Sequence, residues 1–109
     1  MELADNPEKQ ALGLSWRESM PQDSGMLFIF PTEDHYSIWM RGMSFPLDLI
    51  WVSEGKIIVE IRERVSAEPG KLDSDLKIYT PKTKSKYIIE MNAGVVSENG
   101  WQVGDHVEF

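Results

Sequence analysis

The chain has 109 residues, the size of one domain, and we predict a single domain over residues 1–109. Lysine and arginine number 11 against 18 acidic residues, and this net charge of −7 disfavours nucleic acid and anionic lipid as partners. The absence of cysteine excludes disulfides, thiolate zinc sites and cysteine nucleophiles. No apolar run approaches the ~20 residues that span a bilayer, so we expect no membrane insertion by this segment.

The first element predicted along the chain is a short helix. Asn6 followed by Pro7 is a typical helix start, since an asparagine caps the free amides and proline suits the first helical position. Gly13 is expected to end the helix after about two turns. The residues Pro21–Gly25 then read as a loop.

From Gly25 onward the pattern is that of strands. Met26–Phe30 is a continuous apolar run, which suits a strand buried on both faces, and Pro31 is expected to stop it. We expect Phe28 and Phe30 to be core residues. Further strands are predicted over residues 36–40, 46–52, 57–65, 76–79, 87–91 and 105–109.

The composition of the turns predicts an antiparallel arrangement of these strands. Ser53–Lys56 predicts a hairpin, so the strand that follows should pair antiparallel with the strand before it. Alternation in that second strand is expected to place four apolar residues on one face: Ile57, Val59, Ile61 and Val65. The pattern predicts a mainly β fold, a compact antiparallel β-sandwich or partly closed barrel with one short N-terminal helix.

Several kinds of catalytic and cofactor site have no signature in the sequence. The chain contains no Gly-x-Ser-x-Gly nucleophile elbow and no glycine-rich phosphate loop. Glu33, Asp34 and His35 are three potential metal ligands in a row, but consecutive loop residues rarely converge on one ion. His106 is the only other histidine. We therefore predict a solvated turn at residues 33–35, no metal requirement and no cofactor.

Asp48 is the most informative acid, because it lies within a predicted apolar strand. If its strand face is inward, the carboxylate is buried and needs hydrogen bonds or an ion pair. Arg41, Arg17 and the backbone amides of residues 42–45 are the expected partners. The aspartate then either braces this turn or faces a ligand, and the brace is the favoured interpretation. Glu90 poses the same question beside Ile88.

A candidate ligand surface combines Trp39, Arg41 and Asp48. Trp39 and Arg41 are two residues apart and project from one face of a strand, and Asp48 would return beside Arg41 if the next strand is a neighbour. An apolar ring, a guanidinium and a carboxylate would hold a small polar ligand, such as a sugar or a peptide. Other aromatic residues either extend this surface or pack in the core: Tyr36, Trp51 and Trp101.

Eight segments, taken in order along almost the whole chain, form a recognisable pattern: Gly13-Leu14, Arg17-Glu18, Gly25–Pro31, Trp39–Gly42, Pro46–Trp51, Tyr87–Glu90, Ala93-Gly94 and Gly104-Asp105. In these segments the chain resembles the uncharacterised prokaryotic domain-of-unknown-function family 192, also called uncharacterised protein family 0127.

This resemblance implies a compact, mostly β domain with an N-terminal helical segment, and it brings no catalytic role, substrate or cofactor. Family members commonly carry a signal peptide or lipoprotein leader, which favours an extracytoplasmic location. The present sequence begins inside the expected first strand, at Glu2–Ala4, with that leader absent. Many members have two cysteines in the segment that matches residues 67–79. This chain has none there, so no redox role is implied for it.

Three functions from different classes fit the sequence. The first is a small non-catalytic binding or accessory domain with its ligand beside Trp39, Arg41 and Asp48. The second is a hydrolase that uses Asp48 or Glu90 as general acid or base, for which paired carboxylates would lie ~5–10 Å apart. The third is a protein-interaction module, which a broad exposed apolar patch would favour. The missing catalytic motifs favour a protein that is not an enzyme.

Overall fold

The computed structural model describes all residues from Met1 to Phe109. Two short α-helices and seven strands make up its regular structure, with a single 3-10 turn at Asp73–Asp75. In chain order the elements are β1 (Glu2–Ala4), α1 (Pro7–Leu12), β2 (Gly25–Asp34), β3 (Ile38–Trp39), β4 (Leu47–Val52), β5 (Ile58–Val65), β6 (Ile78–Tyr79), β7 (Ser85–Asn92) and α2 (Val95–Asn99). Neither helix has the length and apolar character required to cross a membrane.

Five of the strands form one open sheet, in the order β1-β2-β7-β4-β5. All neighbouring pairs in it are antiparallel except β1 and β2, which run parallel. β3 and β6 form a separate antiparallel pair. The predicted mainly β fold is confirmed, and the sheets give a sandwich-like arrangement that does not close into a barrel.

Both faces of the large sheet are covered. On one face the core contains Trp51 and Leu49 together with Leu14 from the N-terminal segment and Met40 from the segment after β3. The other face packs against α2 and the C-terminal segment. Two-sided burial explains the apolar run in β2, because successive side chains enter opposite cores.

The N-terminal helix begins and ends where its local signals predict. The Asn6 side chain accepts a hydrogen bond from the Lys9 amide at 2.9 Å, and Pro7 occupies the first helical position. Gly13 ends α1 with φ +52° and donates its own amide to the Lys9 carbonyl. The second helix, α2, ends at Gly100 in the left-handed conformation.

Several predicted strand and turn boundaries are wrong. The strand predicted over 76–79 is reduced to β6, and Glu33 and Asp34 belong to β2 rather than to the predicted turn. β2 does not stop at Pro31 but continues to Asp34, because its ladder with β7 is interrupted between Ile29 and Asp34 and needs no amide from the proline. The strand predicted over 36–40 is reduced to β3. Residues 105–109 form no strand, and their one bridge joins Ile57 to His106.

The predicted face of β5 is also wrong, because a bulge interrupts its alternation. Val52 pairs with Ile58 and Trp51 with Glu60, so Val59 has no opposite residue. Val59 consequently packs against the core that contains Trp51, whereas Ile61 packs against the other core. A second irregularity in the pairing of β4 with β5 follows, because Leu47 pairs with Val65 but Leu49 pairs with Arg62. Arg64 lies in this irregular part of β5 and has φ +52°.

Candidate functional site

A cavity of about 320 Å³ lies between the large sheet and the segments that cover it. Its walls come from three parts of the chain: the end of α1 with the residues after it, the segment around β3, and the strands β2, β4 and β7. The lining residues are Gln10, Ala11, Leu12, Gly13, Leu14, Ser15, Phe28, Phe30, Tyr36, Ser37, Ile38, Trp39, Arg41, Met43, Leu47, Ile88 and Glu90.

Strand register determines which sheet residues enter this cavity. Phe28 lies opposite Ile88, and Glu90 lies opposite Met26 on one side and Leu49 on the other. Residues directly opposite in a sheet share a face, and Ile88 and Glu90 are two apart on β7. The carboxyl group of Glu90 is therefore placed on an otherwise apolar face.

Glu90 is buried, with 7% of its surface exposed, and it is part of the cavity wall. Its carboxyl group has no hydrogen-bond or ion-pair partner in the protein, and burial raises its pKa to about 7. The cause is the loss of water around the charged form, since no neighbouring cation compensates for that loss. The cavity thus contains a carboxyl group that is half ionised near neutral pH.

Trp39 and Arg41 belong to the exposed part of the cavity wall, as does Leu12, and we call the part formed by Trp39 and Arg41 the mouth. Trp39 is 44% exposed. The guanidinium carbon of Arg41 lies 5.9 Å from the centroid of the Trp39 ring, within the range of a cation–π contact. The Arg41 Nε donates to both carboxylate oxygens of Asp73, at 3.0 and 3.2 Å. Arg41 is therefore already paired.

Hydrogen bonds connect the wall that follows α1 to the turn after Arg41. The Trp16 amide donates to the Gly42 carbonyl at 2.8 Å, and the Ser15 hydroxyl donates to the Arg41 carbonyl at 2.8 Å. Trp16 has φ +68° and Gly42 has φ +72°, and a Cβ at Gly42 would lie 3.0 Å from the Trp16 ring. Only glycine fits this close approach without strain.

An aromatic pair and a side-chain amide stabilise the remaining walls. The rings of Phe30 and Tyr36 stack with their centroids 3.7 Å apart, and the Tyr36 hydroxyl donates to the Thr32 carbonyl. The Gln10 amide donates to the backbone carbonyls of Ala4 and Ile29, which fixes α1 against the first two strands of the sheet. These contacts fix the positions of the cavity walls.

Asp48 lies on the opposite face of the sheet and does not join the cavity. It is fully buried and accepts three backbone hydrogen bonds: from Arg64 at 2.8 Å, from Gly94 at 3.1 Å and from Val96 at 2.9 Å. The first donor lies at the β5 irregularity and the other two at the start of α2. Asp48 is thus a structural brace, although it joins β5 and α2 rather than the turn before it.

The predicted grouping of Asp48 with Arg41 is wrong. Arg41 binds Asp73, and Arg17, the other predicted partner, donates to Glu2 at 2.8 Å. Backbone amides satisfy Asp48 because the second irregularity of β5 and the first turn of α2 leave donors free beside it. Trp39 and Arg41 do remain together, at the cavity mouth.

The aromatic residues considered for a ligand surface separate into different environments. Tyr36 and Trp39 line the cavity. Trp51 is fully buried and donates its ring N–H to the Tyr36 carbonyl at 2.9 Å. Trp101 packs against the core on the other face. A single platform of all four rings does not form.

The acidic run and the two histidines are also separate. Glu33 accepts the Glu54 amide, Asp34 accepts the amide of His35, and the His35 ring contacts the Pro81 carbonyl at 3.1 Å. Nowhere do three His, Cys, Asp or Glu side chains lie together as a group that would hold a metal ion. His106 lies 3.3 Å from Glu108 at the surface.

The sequence identified Glu90 but not its surroundings. A glutamate that alternates with apolar residues on both sides, as in Tyr87–Met91, indicates a carboxyl group on a buried strand face. No local signal indicated that the residues after α1 would complete a cavity over it, because that contact joins segments more than 70 positions apart.

The chain matches known sequences and structures over its full length. The family model DUF192, described as Uncharacterized ACR, matches residues 1–109. A UPF0127 protein of Pyrococcus abyssi is 30% identical over 100% of this chain and 85% of its own length, and one of Pyrococcus furiosus is 28% identical over 98% and 84%.

Two solved structures share the fold. A protein of Sinorhizobium meliloti named as a candidate transcription regulator has a TM-score of 0.88 and 31% identity, covering 98% of this chain and 78% of that one. A protein of unknown function from Novosphingobium aromaticivorans has a TM-score of 0.88 and 28% identity, covering 99% and 73%.

Proposed function

We propose that this chain, which belongs to the DUF192 family of unknown function, is a small-molecule-binding domain whose ligand occupies the cavity beside Glu90. The observation that carries the proposal is the Glu90 carboxyl group, buried in the cavity wall without a protein partner. Burial of such a group costs free energy unless something pairs with it. A ligand that contacts the carboxyl group recovers that free energy, which makes the cavity a binding site.

The dimensions and chemistry of the cavity support this proposal. A volume of about 320 Å³ lies at the small end of the range of ligand pockets, ~300–1,000 Å³. Eleven of its 17 lining residues are hydrophobic, and the others bring polar groups to the wall that could orient a ligand. The exposed ring of Trp39 supplies flat contact area at the mouth.

A fragment screen tests the proposal. Amide NMR spectra recorded with a library of small fragments are expected to show shifts at residues of the cavity wall. Trp39→Ala is expected to weaken the bound fragments at least about fivefold, because an aromatic contact of ~1 kcal/mol is lost. Val103→Ala, which removes an exposed apolar side chain from the C-terminal segment, is the matched control and should change nothing. Shifts confined to other surfaces would contradict the proposal.

A general acid or base reaction is the second candidate, and the pKa of Glu90 near 7 favours it, because such a group exchanges protons readily at neutral pH. The structure disfavours a reaction that uses the carboxyl groups of Asp48 and Glu90 as a pair. Asp48 lies on the other face of the sheet, and its oxygens accept hydrogen bonds from backbone amides. Glu90 would therefore act alone. Turnover of chromogenic esters or glycosides that Glu90→Gln abolishes would favour catalysis over binding.

The regulatory role in the name of the Sinorhizobium protein does not support nucleic-acid binding by this chain. Its net charge of −7 opposes approach to a phosphate backbone. An extracytoplasmic location stays a prediction from the family resemblance.

A further inference from the structure

We infer that the ligand is a small organic cation, an amine that carries an aromatic or branched aliphatic group, and that its ammonium pairs with the Glu90 carboxylate. This inference rests on the proposed function and specifies the chemical class of its ligand. The balance of charge in the cavity, the aromatic rings of its wall and the charge of the whole chain support it.

The first argument is the balance of charge in the cavity wall. Only two ionised side chains belong to the wall, Arg41 and Glu90. Arg41 donates its Nε to Asp73 and lies over the Trp39 ring, so it already has an acidic partner. Glu90 has no such partner. The cavity therefore lacks one positive charge, which an ammonium group would supply.

The second argument is the aromatic content of the wall. The rings of Phe28, Phe30, Tyr36 and Trp39 line the cavity. Aromatic faces carry partial negative charge and attract ammonium groups, while their area packs against an apolar body. A ligand that combines a cation with an apolar group uses both properties.

The third argument disfavours the opposite charge. An anionic ligand would be repelled by the ionised Glu90 carboxylate, and Arg41, the one cation of the wall, already shares its charge with the Asp73 carboxylate. The net charge of −7 also concentrates cations rather than anions around the protein. The remaining alternative is a neutral ligand whose oxygen accepts a proton from the protonated form of Glu90.

Matched probes separate these alternatives. We propose titrations with 2-phenylethylamine, 2-phenylethanol and phenylacetate at pH 8, followed by the amide and tryptophan indole NMR signals. The amine is expected to shift cavity residues and to bind at least about tenfold more tightly than the alcohol, since a desolvated charge pair adds more than ~1.4 kcal/mol. Glu90→Gln should remove this preference for the amine over the alcohol.

Two further measurements control for charge and protonation. Glu98→Gln removes the same charge from an exposed position on α2, against the opposite face of the sheet, and should keep the preference for the amine. Binding of the amine should weaken from pH 8 to pH 5 as Glu90 becomes protonated. Arg41 and Tyr36 are the other ionisable residues of the cavity wall.

The outcomes distinguish this inference from the proposed function. If the alcohol or phenylacetate binds the cavity as tightly as the amine, the inference is overturned and a binding function remains. Retention of the preference in Glu90→Gln would overturn it in the same way. If none of the probes shifts a cavity residue at millimolar concentration, and the fragment library also fails to do so, both are overturned.

Discussion

Asp48 and Glu90 show how two buried acids of one sheet acquire different roles. Both lie on central strands. Asp48 lies opposite Met91, the residue after Glu90, so the two acidic side chains point to opposite faces of the sheet. Asp48 meets backbone amides left free by a strand irregularity and a helix start. Glu90 lies between Met26 and Leu49 of the neighbouring strands and lines the cavity. The first acid stabilises the fold, and the second lowers stability whenever it is ionised.

The effect of Glu90 on stability depends on pH, with a definite sign. Its pKa is about 7 in the folded state against 4.5 for an unperturbed glutamate, so between these pH values the folded protein binds the extra proton. Stability therefore falls as pH rises from about 4.5 to 7. Glu90→Gln should raise the free energy of unfolding by about 3 kcal/mol at pH 8 and by little at pH 4.5. Urea denaturation at both pH values measures this, and equal effects at both would contradict it.

Asp48→Asn should lower the free energy of unfolding by about 1–3 kcal/mol, because the amide NH₂ faces backbone donors that lose their acceptor. Chemical denaturation at neutral pH measures the loss, with Glu98→Gln as the exposed control. Amine binding should be unchanged, since Asp48 does not line the cavity. A loss below about 0.5 kcal/mol would show that Asp48 is not a brace.

At the residue scale, the sequence predicted burial better than partners. The sequence made burial of Asp48 conditional on an inward strand face, and in the structure Asp48 is fully buried. Its partners could not be predicted, because the Arg64 amide is free only where β5 bulges, and the Gly94 and Val96 amides come from a helix start 46 and 48 positions away. The fit between strands, not the local pattern, determines where such donors remain.

At the level of elements, the turn at Gly42 determines the shape of the cavity mouth. Gly42→Ala would place a Cβ 3.0 Å from both the Ser15 Cβ and the Trp16 ring, at a φ of +72°. We expect this variant to lose about 1–3 kcal/mol of stability and to change the fluorescence of Trp16, because the segment after α1 must move.

Gly70→Ala is the matched control for this substitution. Gly70 also has a positive φ, +81°, but no atom lies within 4 Å of the added Cβ. Its cost should therefore be backbone strain alone, about 1 kcal/mol. Equal losses for both variants would show that contact between Gly42 and Trp16 does not hold the mouth.

Elements with local signals were predicted well. Asn6, Pro7 and Gly13 indicated α1, and Ser53–Lys56 indicated the hairpin between β4 and β5. The sequence did not predict that β2 continues beyond Pro31. A proline is tolerated in a strand where the neighbouring strand needs no hydrogen bond from its backbone nitrogen, and the ladder with β7 is interrupted there. That condition depends on the register with β7, which local sequence does not reveal.

At the scale of the molecule, the cavity results from covering one sheet with irregular chain. The end of α1, the segment around β3 and the strand β7 meet there, although they are distant in sequence. The other face is covered instead by α2 and the C-terminal segment, which form a second core with it. The sequence could not predict a cavity that depends on such long-range contacts. It did predict the mainly β fold, because the strand pattern is local.

The titration of the Glu90 side-chain carboxyl carbon by NMR, with and without 2-phenylethylamine, tests the role of this cavity most directly. We predict a pKa near 7 in the free protein, and a fall in that pKa when the amine is bound, because an ammonium stabilises the carboxylate. A carboxyl group that titrates near 4.5 and does not respond to the amine would contradict both its burial without a partner and its contact with a cationic ligand.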